Sequence, residues 1–340
     1  MKKMRNIYDL TIKELEDYFI SINEKKFRAV QVYEALYKRR IKSFDDMTNI
    51  SKEVREKLKQ DFSFYKIKML IKQKGKNVNK YLFELEDGNK IESVLMFHDY
   101  GTSICVSSQV GCNMTCAFCE SGRLKKVRNL LAYEIVQQIL QIEEDINKRI
   151  THVVLMGIGE PFDNYDNVLR FVKIINCGKG IDIGSRHITI STCGVIPGIK
   201  KFMNEEGQVN LAISLHAPND TLRSRIMPIN KAYPLNELME TIKEYINKTN
   251  RRVTFEYIML DNVNDSEENA KELALLLKGI NCYVNLIPYN ETENIEFKRT
   301  KEWKIMKFYD ILKKNKINVT IRKEFGGSVD AACGQLRANN

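Results

Sequence analysis

ICVSSQVGCNMTCAFCESG, residues 104–122, is a strand-like run that empties into three cysteines, Cys112, Cys116 and Cys119. Their spacing is Cys-x3-Cys-x2-Cys. A tetrahedral zinc or a fully ligated iron–sulfur cluster asks for four protein ligands. No fourth follows nearby: the next cysteine is Cys177 and the next histidine His152. Either the fourth ligand comes from far along the chain, or the site is built to stay open.

Downstream, the same strand-like character recurs in THVVLMGIG, HITISTCG, VNLAISLHA, RVTFEYIML, YVNLIPY and NVTIRKEF. Between these runs lie segments of helical periodicity, from LLAYEIVQQILQIEEDI to KEWKIMKFYDILKKN. Strand and helix in alternation define parallel βα units. Six full units and one extra strand suit a complete or incomplete TIM-like (β/α)6 barrel. No GxGxxG follows the first strand, which argues against a dinucleotide-binding sheet. In such a barrel chemistry sits at the C-terminal strand ends. The three cysteines follow the first strand, Gly157, Gly159 and Glu160 end the second, and Ser191 and Thr192 the third. Ser214 and His216 end the fourth, and Asn285 and Asn290 flank the end of the sixth. These groups are expected to share one mouth.

Upstream, TIKELEDYFISI, FRAVQVYEALYKRR and SKEVREKLKQDF read as three helices, the last opened by a Ser cap. FYKIKMLIKQKG, KYLFELEDGNK and IESVLMF alternate and are broken by Gly-Lys and Asp-Gly-Asn turns, as antiparallel hairpins are. The expected organisation is an α/β protein with a helical accessory segment at 1–62, a small β extension at 63–97, the barrel at 98–326 and a tail at 327–340. At 340 residues, 43% apolar and 29% charged, the composition is globular. No apolar signal-peptide core opens the chain, and its most apolar stretch, residues 152–159, is too short to span a bilayer. A cytoplasmic monomer without a membrane partner is expected. In a reducing compartment clustered cysteines serve metal binding or catalysis rather than a disulfide framework. The formal charge of +10 favours an anionic partner, nucleic acid being the commonest. YKRRIK, at 37–42, is either a solvated helix end or an RNA-facing patch.

Three thiolates can hold three irons of a 4Fe–4S cluster and leave the fourth open. A ligand with an amine and a carboxylate could chelate that iron, and S-adenosylmethionine has both. One electron could then break its sulfonium bond. A zinc site completed by a remote residue stays open on spacing alone.

The chain resembles the RlmN/Cfr family of radical S-adenosylmethionine RNA adenine methyltransferases. The likeness rests on ESVLMF, ICVSSQVGCNMTCAFC, VRNL, MGIGEPFDN, ITISTCG, ISLHAPND, RSRIMPIN, FEYIML, NVND, VNLIPYN, VTIR and DAACGQLRA, from residue 92 to the tail. It implies a 4Fe–4S cluster on Cys112, Cys116 and Cys119. It implies S-adenosylmethionine held by Gly159, Glu160, Ser191, Ser214, Leu215, His216 and Asn290. Adenine C2 and C8 are not nucleophilic, and the family's solution is a cysteine that carries the methyl group. The resemblance assigns that role to Cys333, whose thiolate would take the methyl by displacement. Cys105 would be the resolving thiol, forming a transient disulfide with Cys333, and Glu92 the proton acceptor. Cys177, Cys193 and Cys282 match no role. Glu120 departs from the family, where Ala or Ser is expected. Arg123, Lys125 and Lys126 are candidates to neutralise it.

The resemblance further implies 23S rRNA and some tRNAs as substrates, and an electron donor such as flavodoxin or ferredoxin. Arg223, Arg225, Arg322 and Lys323 are candidates to grip the RNA backbone. Pro161 in MGIGEPFDN is more like the C2-methylating branch than the C8-methylating resistance branch. Two alternatives remain: a non-catalytic zinc-containing RNA-binding protein, and another radical enzyme such as a sulfur inserter. The second would bring a further cysteine cluster, and none is visible.

Overall fold

The structure, a computed structural model, describes residues 4–322 and 335–336. Cys333 and Lys323 lie outside the described residues. At the centre is one ten-stranded sheet. Its strands are β1 (Lys68–Gly75), β2 (Val78–Glu84), β3 (Lys90–His98), β4 (Gly101–Cys105) and β5 (His152–Leu155), then β6 (Ile188–Thr192), β7 (Asn210–Ser214), β8 (Val253–Met259), β9 (Cys282–Pro288) and β10 (Asn318–Ile321). Spatial order follows chain order from one edge to the other. β1 to β4 pair antiparallel, and β4 to β10 pair parallel throughout.

The hairpins expected at 64–97 are thus strands of the same sheet as the βα units. That has a topological consequence. β4 gives its outer edge to β3, so β10 has no free edge of β4 to close upon. Among the described residues the barrel is incomplete for that reason.

Helices cover the parallel strands: α4 (Ala132–Ile146), α5 (Tyr165–Asn176), α6 (Ile196–Phe202), α7 (Asp220–Ile226), α8 (Leu235–Thr249), α9 (Glu267–Leu276) and α10 (Glu302–Lys314). The apolar stripe of α5, Val168, Phe171, Val172 and Ile175, is buried against the sheet side, as a 3.6-residue period requires. α7 is a short helix between β7 and α8 where the sequence reading placed only a connection. Asn219 starts it by accepting the Leu222 N–H at 2.9 Å.

The N-terminal segment supplies α1 (Ile12–Ser21), α2 (Arg28–Tyr37) and α3 (Lys52–Asp61). A Thr11–Glu14 capping box opens α1, and Ser51 caps α3. These helices share one apolar core with the sheet and its helices. Tyr33 and Tyr37 pack so closely on Gly180 that a Cβ there would come within 2.9 Å of the Tyr33 ring. No helix among the described residues is long and apolar enough to cross a membrane.

Candidate active site

The C-terminal ends of β5 to β10 open into one pocket. It is lined by Cys112, Cys116 and Cys119, by Gly157, Gly159 and Glu160, and by Ser191, Ser214 and His216, with apolar walls from Phe118, Met227, Ile258 and Ile287. The chain builds it from short-range devices. Gln109–Val110 pairs with Arg128–Asn129 and closes the cysteine loop at its base. Gly111 sits at φ +72°, and a Cβ there would lie 2.3 Å from the Lys125 carbonyl oxygen. Only glycine tolerates both demands. The Cys112 N–H bonds the Leu124 carbonyl at 2.9 Å, and the Ala117 N–H bonds Ile226 of α7 at 2.9 Å.

Burial pushes the Cys112 thiol up to about 12 and the Cys116 thiol well above its usual range, and the neighbouring thiols add to both shifts. Three thiolates side by side thus call for positive charge between them. Among the described residues no three His, Cys, Asp or Glu side chains converge on a single ion. Thiols that share a mouth without converging suit a polynuclear cluster, in which each takes a different iron. A single zinc wants four ligands about one centre.

The β5 loop follows. Gly159 has φ +106°, and an added Cβ would come within 2.6 Å of Gln109 Cβ. Gln109 accepts the Glu160 N–H at 2.9 Å and donates to Asn129 and Asp163 at 2.8 and 2.9 Å, which clamps the turn. Glu160 accepts the N–H groups of Phe162 and Cys193 at 2.9 and 2.8 Å. Burial still holds its carboxyl above the usual range. A carboxylate so placed favours a cationic partner.

On β7, Ser214 faces the pocket, and the Leu215 N–H bonds the Glu256 carbonyl at 3.0 Å. His216 takes a left-handed backbone, φ +59°. Its Nδ1 accepts the Ile258 N–H at 3.0 Å, which leaves Nε2 as the protonated nitrogen. Burial, with the nearby Arg223 charge, lowers its pKa to about 3, so the ring is neutral at physiological pH.

Three expected site residues stand off this lining. Asn290 is half-buried just past β9. Glu92, on β3, pairs with Lys80 at 3.2 Å. Cys105, at the end of β4, is aligned with Val94 and packs with Val94, Met96, Ile158 and Leu336. Leu336 comes from the tail: its carbonyl accepts the Ser121 hydroxyl at 2.6 Å, while the Gln335 amide donates to the Glu291 carbonyl at 3.1 Å. Both ends of the cysteine-to-β9 mouth therefore touch the tail.

Some assignments change. Arg223 is not an RNA contact. It is fully buried and bonds the Leu215, Cys193 and Ser214 carbonyls and Asn230. α7 turns it inward, under the pocket. Arg322 faces Glu256 at 4.0 Å instead of open solvent. Much of the 37–42 run is engaged: Lys38 with Glu34, Arg39 with Asn49, Arg40 with the buried Glu143. Glu120 is buried, and its Oε1 has no hydrogen-bond partner, while Lys126 pairs with Asp163 at 2.7 Å. Cys193 and Glu256, given no role from the sequence, line the pocket.

An incomplete parallel barrel with a three-cysteine loop after its first parallel strand is the architecture of the radical S-adenosylmethionine superfamily, and the model of that superfamily matches residues 106–274. The model of the ribosomal RNA large subunit methyltransferase N-terminal domain matches residues 5–63. A Spiroplasma citri protein described as "Probable dual-specificity RNA methyltransferase RlmN" is 53% identical, the match covering 99% of this chain and 98% of that one. An Enterococcus faecalis protein of the same description is 54% identical over 98% of this chain and 96% of its own. The crystal structure of a radical SAM methyltransferase from Sphaerobacter thermophilus superposes with a TM-score of 0.93 at 41% identity, covering 98% of this chain and all of that one. The chain belongs to the RlmN family of radical S-adenosylmethionine RNA methyltransferases. With the family come a 4Fe–4S cluster and S-adenosylmethionine, and the open three-thiol mouth, the glycine cradle and the buried Glu160 fit them.

Proposed function

We propose that the chain methylates C2 of an adenosine in the peptidyl-transferase centre of 23S rRNA, and of the adenosine 3′ of the anticodon in some tRNAs. The observation that carries this reading is the convergence of Cys112, Cys116, Cys119, Glu160, Ser214 and His216 on one pocket, in a chain so similar to dual-specificity RNA methyltransferases. Cys112, Cys116 and Cys119 would hold the cluster. Gly159, Glu160, Ser191, Ser214, Leu215, His216 and Asn290 would hold the methionine and nucleoside parts of the cofactor. When bound, the pair supplies a 5′-deoxyadenosyl radical.

The chain's own residues then have distinct tasks. Cys333 carries the methyl group, and Cys105 attacks its sulfur to release the product, leaving a disulfide for later reduction. The packing of Leu336 beside Cys105 supports that pairing. Two residues of chain span at most about 7 Å, so Gln335 keeps the Cys333 backbone near the mouth. Glu92, two positions from Val94 and so on the face that Cys105 shares, takes the proton from the ring. The apolar walls keep water from a reactive carbon. A basic chain suits both RNA and an acidic electron donor such as flavodoxin or ferredoxin, and we place the enzyme in the cytoplasm as a monomer.

The test is anaerobic turnover of a 23S rRNA fragment, with nucleosides mapped by mass spectrometry for the wild type and Cys333→Ala. The reading expects 2-methyladenosine from the wild type alone. 8-Methyladenosine would move the chain to the other branch. No methylated adenosine from protein with an intact cluster would overturn the proposal.

A further inference from the structure

β7 to β10 place Ser214, Glu256, Asn285 and Thr320 in one row, each the aligned partner of the next. Aligned residues of a parallel ladder project on the same face. The row is wired in one direction. Thr320 Oγ1 donates to Asn285 Oδ1 at 2.7 Å, which turns Asn285 Nδ2 toward Glu256 Oε1 at 3.0 Å. The other oxygen, Glu256 Oε2, is buried and accepts no hydrogen bond. Arg322 Nη1 stands 4.0 Å from it, beyond hydrogen-bonding distance. Glu256 is 4% exposed, and it lines the pocket.

A buried acceptor without a donor is costly, and native structures rarely leave one without a reason. A ligand donor is the natural occupant, and the surroundings limit its type. Glu160 and the thiols sense one another's charge, whereas Glu256 senses Arg322 and Asn285. The cationic, amine-bearing end of a ligand therefore belongs with Glu160, and Glu256 meets the far end. Arg322 already offsets the Glu256 charge, so a neutral donor suits Oε2 better than a second cation. Ser214, next in the row, offers a second hydroxyl partner. Two adjacent hydroxyls on one ligand match such a pair.

We propose that Glu256, oriented by Asn285 and Thr320, accepts a hydrogen bond from a ribose hydroxyl of the bound nucleoside cofactor and makes the pocket selective for ribonucleosides over their deoxy forms. This rests on the pocket being the cofactor site. The experiment is anaerobic equilibrium dialysis of the full chain carrying its iron–sulfur cluster, with S-adenosylhomocysteine and its 2′-deoxy and 3′-deoxy analogues. The wild type is expected to lose about 10- to 100-fold in affinity for at least one deoxy analogue, the range for a hydrogen bond to a charged group. In Glu256→Ala the ratio should shrink to within about threefold of unity, and Thr320→Val should lie between. Using ratios within each protein cancels any general loss of binding. Equal binding of all three ligands by the wild type overturns the inference without any variant. So does an unchanged ratio in Glu256→Ala or, should that variant not fold, in Thr320→Val. A cluster-loaded wild type that binds no S-adenosylhomocysteine sinks the cofactor-site reading itself. Binding without discrimination sinks only the role of Glu256.

Discussion

Glu14, where the N-terminal helices dock, and Glu256, at the pocket, are both carboxylates beside an arginine, and the chain treats them in opposite ways. Glu14 accepts from the Thr11 N–H and hydroxyl at 2.9 Å, from Arg5 at 2.9 Å and from Arg170 of α5. Burial pushes its carboxyl up, but the bonds from Arg170, Thr11 and Arg5 outweigh this and bring it down to about 2. Glu256 has one bond and an unfilled oxygen, and burial dominates, raising it. Where only docking is at stake, the charges are satisfied. At the strand ends they are left waiting, as in Glu120, or held in an uncommon state, as in His216 and Glu160.

The difference can be broken at several points. The largest effect is expected from Cys112→Ala, Cys116→Ala or Cys119→Ala. Each should abolish the iron–sulfur absorbance and methylation, while far-ultraviolet circular dichroism stays that of the wild type. An unfolded variant would mean that the loop is structural. Next is Gly159→Ala, which forces a side chain into a left-handed backbone against Gln109. It should cost about 2 kcal/mol in denaturant unfolding and weaken cofactor binding as well.

His216 sharpens the contrast through pH. Its folded pKa, about 3, lies below the ordinary value of 6.5. Between those values the unfolded chain binds the proton and the folded chain does not. Its contribution to stability is therefore complete above pH 6.5 and is lost as pH falls toward 3. At pH 5.5 the loss is about 1 kcal/mol. His216→Asn keeps an acceptor and a residue tolerant of positive φ, and should flatten this part of the stability–pH curve. A wild-type slope in the variant would show the titration lies elsewhere. The smallest effect is that of Glu14→Gln. About 1 kcal/mol of stability should disappear, since the pair is partly exposed, with no change in affinity for S-adenosylhomocysteine. Glu14 contributes fully above about pH 4.5, and that contribution falls away as pH drops through about 2.

How much of this could be read from residues alone follows the same division. The parallel units and the cysteine loop were legible because periodicity and spacing are local. Gly159, Ser214 and His216 were legible because they end strands. Glu256 was not, because its meaning lies in register: Ser214, Glu256, Asn285 and Thr320 are far apart in sequence and meet only through strand pairing. One signal was available, a lone carboxylate inside the apolar run RVTFEYIML, where burial demands a partner. Arg223 misled because a cation on a short polar segment reads as surface, and only the orientation of α7 shows it turned inward. Gln109 gave no sign at all, since its clamp on Glu160 depends on the approach of two loops.

The most direct test is Mössbauer spectroscopy of iron-57-loaded protein, before and after adding S-adenosylmethionine. Three protein thiolates and one open position predict that one iron of a 4Fe–4S cluster changes its signal while the other three do not. Four irons that all stay unchanged, or zinc in place of iron, would contradict the open-site account.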